Sequence, residues 1–557
     1  MAADVTESIP HSVWNGWGDP AQGHPLSEHA LSYLKRELAL DSVELSHPSV
    51  DLSEVSVSAS ALDERVIAEL RAIVGADHVA TDDVSRIVHA GGKSTPDLLR
   101  RRAGDAARAP DAVVKPETND QVADVLTLCA TEHIAVIPFG GGTSVVGGVE
   151  PLRGPFASAI TLDLTRMNRL LSIDTESRTA TLQAGIRGPA IEAVLAQHGF
   201  TLGHFPQSHQ QATLGGYAAT RSAGQSSTGY GRSDELITGL RVETPSGTLT
   251  LGGHAPADAA GPHLTQLLLG SEGVLGVITE VTVTITPRPV EKSYGAWAFP
   301  SFEAGAAALR ELIQDTPAGD VPEVVRLSDV DETQANFELA GGRTIAALRR
   351  YLALRGVQHP SLALFVWEGG RGGTRGRKRR CGRVLRAHGG VYVTGRPASS
   401  WDEGRFLAPY RRDELLTRGV FVETLETATS WSKLNATHDS VRDAVIGAIG
   451  SPCHVQAHIS HVYPGGASLY YTVVAAMEGD GLEQYRRMKV AASEAIVAGG
   501  ATITHHHAVG IDHAPYLEAE IGGLGLSVIA AAKRELDPVG ILNPGKLITP
   551  QKAETIG

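Results

Sequence analysis

The sequence predicts an α+β protein of two or three domains, on three observations. At 557 residues the chain is longer than one hydrophobic core can serve. Helical and strand-like stretches alternate through both halves, several strands with the period-2 pattern of half-buried sheets. The third observation is a glycine loop, Pro138-Phe139-Gly140-Gly141-Gly142-Thr143-Ser144-Val145-Val146-Gly147-Gly148, after a buried-strand signal at Ile134 to Ile137. Three successive glycines leave no Cβ to hold a ligand off and allow φ > 0. Amides in such a turn can converge on an anion, and Thr143 and Ser144 add hydroxyl donors. The loop lacks a Gly-Lys-Ser/Thr ending and a clean G-x-G-x-x-G, so it is neither of the commoner phosphate loops. On its own it also fits a plain turn.

Composition narrows the class. A formal charge of −13 argues against a nucleic-acid binder. Hydrophobic residues at 42%, charged residues at 20% and a mean hydropathy of −0.06 suit a cytoplasmic protein. Cys129, Cys381 and Cys453 lie far apart, in neither a metal-like nor a disulfide-framework spacing. No apolar run is long enough to span a bilayer, and no secretion signal is expected at the N-terminus.

Residues 1–104 read as an N-terminal docking segment with helices at Leu26 to Leu40 and 63–75. Trp14-Asn15-Gly16-Trp17-Gly18 suits a stretch that lies on the main body. Arg101 to Pro110 reads as a loop. Thr118 with Gln121 makes a capping box for a helix through Cys129. Strands follow at Ala159 to Leu164, Leu170 to Asp174 and Thr179 to Ala184, then a helix at Pro189 to His198. Pro206 to Asp234 is dense in small polar residues and expected to line a site. A hairpin turns at Pro245-Ser246-Gly247, and Gly270-Ser271-Glu272-Gly273 leads into a strand through Val281, Val283 and Ile285.

In the second half, strands are expected at Val321 to Arg326, Leu362 to Trp367 and Gly390 to Val393. A hairpin at His454 to Val474 turns near Pro464-Gly465-Gly466, and a helix covers Leu482 to Val497. The basic cluster Arg375 to Arg380 reads as a solvated helix face. His505-His506-His507 is internal and so no terminal tag. If extended, it would project His505 and His507 to one side and His506 to the other. With no carboxylate or cysteine at partner spacing, no metal is expected; proton transfer is the better use of imidazoles near neutral pH.

The glycine loop, the Thr213-Leu214-Gly215-Gly216 turn with Ser222-Ala223-Gly224, and Gly270-Ser271-Glu272-Gly273-Val274-Leu275-Gly276-Val277-Ile278-Thr279-Glu280, in that order, resemble the FAD-binding PCMH-type domain of the vanillyl-alcohol-oxidase family. The resemblance implies a two-subdomain FAD-binding domain at 105–288, an α+β cap domain with antiparallel sheet at 289–510, and a return to the FAD domain at 511–557. It carries cofactor contacts onto Phe139, Gly140, Gly141, Gly142, Thr143, Ser144, Val145, Gln207, Ser208, Thr213, Gly215, Gly216, Thr220, Ser222, Ala223, Glu272, Gly276, Val277 and Ile278. The glycine loop holds no His or Cys, so the FAD is expected to be non-covalent.

Further motifs are similar to those of the alkyldihydroxyacetonephosphate synthase family. They are the Trp14 motif, Arg326 after Pro-Glu-Val-Val, Pro409-Tyr410-Arg411-Arg412-Asp413, Glu423 to Trp431, Ser460-His461-Val462-Tyr463, Tyr470 and the His triplet. The resemblance implies exchange of the acyl group of acyl-dihydroxyacetone phosphate for a long-chain alcohol through a flavin N5 adduct. Tyr470 would be the acid/base, His506 and His507 would activate the alcohol with His505 completing the motif, and Arg326 and Arg412 would be site arginines suited to phosphate or carboxylate. A homodimer and peripheral membrane contact are further expectations that the sequence itself leaves open. Local readings stand beside these roles: Tyr470-Tyr471 as strand packing, Arg326 paired with Asp329, Arg412 with Asp413, His461 as a satisfied polar residue beneath the site. An Ala/Gly/Arg-rich composition suggests a bacterial source, where oxidation of a hydroxy acid or alcohol is the alternative chemistry.

Overall fold

The computed structural model describes residues 12–548 except positions 41 and 43. In the first half a four-stranded sheet runs Val79–Ala80, Ala112–Val114, Ala159–Asp163, Ala135–Phe139, its last three strands parallel. The helix Asn119–Thr131 leads into Ala135–Phe139, so the glycine loop leaves from the strand's C-terminal end, the usual place for a ligand in parallel sheets. Thr118 caps that helix through the Gln121 amide, while the Gln121 side chain takes the amide of Glu117 instead of Thr118. Beside this sheet lies a five-stranded antiparallel one, ordered Leu170–Asp174, Thr179–Gln183, Val277–Thr284, Ile237–Thr244, Gly247–Gly252. Each sheet has its own apolar core.

The second half is built on one seven-stranded antiparallel sheet. Its order is Val391–Tyr392, Glu291–Phe299, Ser361–Gly369, Val324–Ser328, Cys453–Tyr463, Gly466–Ala476, Val420–Ser430. Helices Phe302–Asp315, Gly373–Ala387, Leu434–Ile449 and Leu482–Ala498 bury one face of it around Phe299, Phe365, Trp367 and Tyr471. The chain then crosses back. Leu517, Leu526 and Leu547 join the core of the five-stranded sheet, and Leu542 bridges Val136 beside the glycine loop.

Some expectations change. Arg101 and Arg102 end a helix, Thr95–Arg102, because Ser94 caps it and Pro96 sits in its first turn, where a missing N–H costs nothing. The long polar segment contains three short helices, Leu214–Thr220, Ser227–Tyr230 and Ser233–Leu236. The basic helix is only partly a solvated face: Arg377 pairs with Glu323, Arg380 with Asp320, and Lys378 donates to the Tyr294 carbonyl. The Trp motif does dock, with the Trp17 amide on Asp413 and the Lys93 ammonium on the Val13 carbonyl. No helix among the described residues is long and apolar enough to cross a membrane. The expected C-terminal segment lies outside the described residues beyond position 548.

Candidate active site

Strand alternation builds one polar row from four chain segments. Leu425, Leu469, Ile459 and Leu327 turn into the cap core. Their neighbours Glu426, Tyr470, His458 and Arg326 therefore face the other side. Register aligns them: Tyr470 stands opposite Glu426 on one strand and His458 on the other. The Tyr470-Tyr471 pair is thereby split. Tyr471 is fully buried and donates to the Thr437 carbonyl at 3.3 Å, and it alone is the packing residue. Tyr470 stacks on His458, centroids 5.0 Å apart, and on His506 at 6.0 Å, and meets His507 edge-on at 5.6 Å.

Arg326 closes the row. It donates to Glu332 at 2.5 Å and approaches His458 Nδ1 at 3.1 Å. Asp329 is not its partner, because that carboxylate caps the next helix through the Glu332 amide at 2.7 Å and takes the Ala457 amide. Burial pushes the Tyr470 phenol up to about 12, so it stays protonated at neutral pH.

The His triplet is not an extended strand. Thr502 pairs with the sheet's edge strand through its amide on Ala428 O, and the chain then wraps around Glu426. That carboxylate accepts from the His505 amide (2.6 Å), the His506 amide (3.1 Å), the His507 amide (2.9 Å) and the Thr504 hydroxyl (2.7 Å). With three consecutive amides pointing one way, the expected alternation of rings fails. His505 turns to the Tyr463 hydroxyl at 2.7 Å and stacks near His461, while His506 and His507 both face Tyr470. Ala508 ends the turn at φ 73°, a left-handed conformation costly for a residue with a Cβ. Burial lowers His506 and His507 to about 4, leaving both neutral near pH 7. Burial opposes ionisation of Glu426 too, but the surrounding rings and the Thr504 hydroxyl outweigh it and hold the carboxyl well below its ordinary range.

The absence of a nearby carboxylate, on which the expectation of no metal rested, was a false premise. Folding supplies Glu426 from 79 residues away, and one atom each of Glu426, His505 and His506 lie within 4.8 Å of one another. The Glu426 oxygens are taken up by four donors, which makes the group a hydrogen-bonded network.

The glycine loop meets the second polar segment. A Cβ on Gly140 would lie 2.2 Å from Thr213 Oγ1, on Gly141 2.1 Å from the Gln211 carbonyl, and on Gly142 2.4 Å from the Phe139 ring. The missing side chains thus admit protein rather than ligand, and lock the 139–145 and 207–213 loops together. The amides remain available: among the described residues, those of Gly141 through Val145 donate to no protein acceptor. Ser144 Oγ accepts from the Gly148 amide at 2.8 Å, which leaves its proton free. Gln207 Nε2 is buried without a partner, and its Oε1 takes the Gln225 amide group. Thr213 caps Leu214–Thr220, Thr220 bonds back to the Gly216 carbonyl, and Ser222 meets His204 at 3.1 Å. Five free amides beside a hydroxyl fit a pyrophosphate.

Other anticipated contacts are committed elsewhere. Both Glu272 oxygens accept from the Gly510 amide, at 3.0 and 2.9 Å, tying this loop to the turn after the triplet. Val277 and Ile278 point into separate apolar cores, and a Cβ on Gly276 would meet Val242 at 2.3 Å. Arg412 has no hydrogen bond to the tyrosine row. It donates to the Lys93 carbonyl at 2.7 Å and stands 3.7 Å from Asp413, with its Nε and Nη2 buried and unpartnered. The Lys93 amide in turn donates to Ser144 O, so Arg412 belongs to the glycine-loop side. His461 is the satisfied residue beneath the site, its Nε2 2.8 Å from the Gly224 carbonyl.

Sequence reading gave no role to Glu426, although it lies inside the Glu423 to Trp431 motif, and passed over His458, Glu332 and Lys489. The signal for Glu426 was a second carboxylate, three residues after Glu423, in a strand otherwise built of Val, Phe, Thr, Leu, Ala and Ser. Lys489, 6% exposed, has no hydrogen bond or ion pair among the described residues and faces Glu423 and His507.

Two family models match the chain, a FAD binding domain over residues 110–252 and the FAD linked oxidases' C-terminal domain over 288–547. The chain is 31% identical to alkyldihydroxyacetonephosphate synthase of Trypanosoma brucei brucei across 99% of its own length and 95% of the relative's. It is 29% identical to an FAD-linked oxidoreductase, YgcU, of Escherichia coli (strain K12), across 87% of this chain and 99% of that one. A solved alkyldihydroxyacetonephosphate synthase superposes with a TM-score of 0.82 at 28% identity, covering 96% of this chain and 98% of the other.

Proposed function

The chain belongs to the alkyldihydroxyacetonephosphate synthase family of FAD-linked enzymes, and from that membership we propose that it exchanges the acyl group of an acylated dihydroxyacetone phosphate for a long-chain alcohol. The observation that carries this reading is the single cluster of Tyr470, His506, His507 and His458, with Arg326 at its edge. Such a cluster suits a reaction whose demands are proton movements with no net electron loss. Dissociable FAD, when bound along the glycine loop, supplies an electron sink for the substrate carbon.

The residues divide the remaining work. Tyr470, held as a neutral phenol, gives a proton as general acid, and recovers it in the return step once it has become phenolate. His506 and His507 are neutral near pH 7. His507 Nδ1 has no hydrogen-bond partner among the described residues, and His506, whose Nδ1 meets His505 Nδ1 at 2.9 Å, keeps a lone pair at Nε2 when it is the donor of that bond. Arg326 is oriented by Glu332 and fixes His458. Arg412, with two unpartnered donor nitrogens, suits a phosphate oxygen. Substrates of this kind carry long apolar chains, which supports peripheral membrane contact by a cytoplasmic homodimer; vesicle flotation and mass measurement in solution test both.

Likeness to the FAD-linked oxidoreductase favours a second reading, oxidation of a hydroxy acid or alcohol. Anaerobic mixing separates them. Fatty-acid release from the acyl ketone phosphate that depends on added alcohol, with no electron acceptor, is the expected result. Bleaching of the flavin by a hydroxy acid and its recovery in air, without any acyl exchange, would overturn it.

A further inference from the structure

We propose that Glu426 is the positioning residue of the histidine triplet, a built-in anion that sets the three backbones and faces the imidazolium formed when His506 takes the alcohol's proton. The inference rests on the reading of the triplet as the proton acceptor. Its geometry does not. Glu426 is 2% exposed, and no cation donates to it directly: its four donors are three consecutive amides and one hydroxyl. Neutral dipoles therefore satisfy its lone pairs while its charge remains uncancelled, next to His506 Nδ1 at 3.6 Å and His507 Nδ1 at 3.9 Å. Donated hydrogen bonds keep the carboxylate ionised, and an ionised carboxylate this close favours the charged form of a neighbouring imidazole. The nearest groups able to become positive are these two rings.

The other charged and titratable neighbours do not take this role. Arg232 reaches the triplet from the first half but donates to the His505 carbonyl. His458 and Tyr470 come from the two inner strands, with His458 already facing Glu332. His461 bonds the Gly224 carbonyl, and Tyr463 bonds His505. His505 meets His506 Nδ1 through its own Nδ1 at 2.9 Å, and burial holds its pKa well below the ordinary imidazole value, so it stays neutral. Lys489 and His513 approach His507 from the far side, and as cations both oppose its protonation. Among the described residues, Glu426 is the carboxylate that favours an imidazolium here.

The replacement Glu426→Gln removes the charge together with one accepting oxygen. Glutamine has one acceptor oxygen, and its amino group would confront the His505 amide or the other three donors. Glu426→Asp keeps the charge and shortens the reach. Both variants are prepared as full-length, FAD-loaded protein, with flavin absorbance and hydrogen exchange over 502–510 recorded first. With acyl ketone phosphate and alcohol, Glu426→Gln is expected to lose roughly 100-fold in kcat with KM changed less than about threefold. The acidic limb of its pH profile should shift downward by about one unit, tenfold in proton affinity. Glu426→Asp should keep the limb in place and recover part of the rate.

An unmoved limb, or a rate lost only in proportion to lost flavin, would overturn the proposal and leave Glu426 a purely structural clamp. If the wild-type protein performs no acyl exchange, the proposed function falls separately. The positioning role is then read from 13C-labelled histidine: a lower titration midpoint for His506 in Glu426→Gln supports it, and an identical midpoint overturns it.

Discussion

The glycine loop at 139–145 and the histidine triplet at 505–507 both gather backbone amides around a negative charge, in opposite ways. In the loop the amides of Gly141 to Val145 have no acceptor among the described residues, which suits them to a ligand's phosphates. In the triplet the amides of His505 to His507 close on the protein's own Glu426. On the proposed reading one site is a mould for a dissociable anion; the other has its anion built in and uses the arrangement to aim side chains. The difference follows from what each must hold fixed. A cofactor needs a backbone it can approach, whereas a proton-transfer group needs a backbone that cannot move.

The sharpest way to break the comparison is at Gly141. A Cβ there would lie 2.1 Å from the Gln211 carbonyl oxygen, so no side chain fits. Gly141→Val is expected to separate the two loops and yield protein without bound FAD. Retention of stoichiometric yellow colour would show that the loops do not depend on one another.

The tyrosine pair offers the next largest effect. Tyr470→Phe should lower kcat about a thousandfold with FAD absorbance intact, because Tyr470 lies on the triplet side of the sheet. Tyr471→Phe should leave kcat within a few-fold and cost only about 1 kcal/mol of stability, through the lost bond to the Thr437 carbonyl. Equal losses from both would mean that strand alternation does not separate their roles.

Acid should act on the triplet side through stability. His506 and His507 are lowered to about 4 by burial, and His461 and His513 to about 3. In the unfolded chain such groups protonate near pH 6.5. The unfolded state therefore binds more protons below that pH, and stability present above 6.5 is lost as pH falls through about 4 to 3. A melting temperature that declines steadily from pH 6.5 to 4 is expected; a flat one would mean these rings are solvated.

The same contrast explains what could be read from the chain. The glycine loop is contiguous, and its strand, turn and hydroxyls announce themselves in eleven residues. Even there, local reasoning mistook the purpose of the glycines, since the neighbour they admit is Gln211, some seventy residues on. The polar row is assembled by register: His458 and Tyr470 face each other across the hairpin that the sequence did show, but Glu426 and Arg326 join from strands distant in the chain, which no short window contains. Resemblance supplied Tyr470, Arg326 and the histidines; it covered Glu426 within the Glu423 to Trp431 motif without giving it a role, and it left out His458. Arg412 was named for the same site, yet the helix that bears it sets it against Lys93 on the cofactor side.

The central claim is that FAD extends from the glycine loop and presents its ring to the tyrosine and imidazoles of the cap sheet. A crystal structure of the FAD-loaded protein tests it most directly. The expected result is the pyrophosphate on the amides of Gly141 to Val145 and the flavin ring in van der Waals contact with Tyr470 or His506. A ring separated from both by a layer of protein would contradict the account.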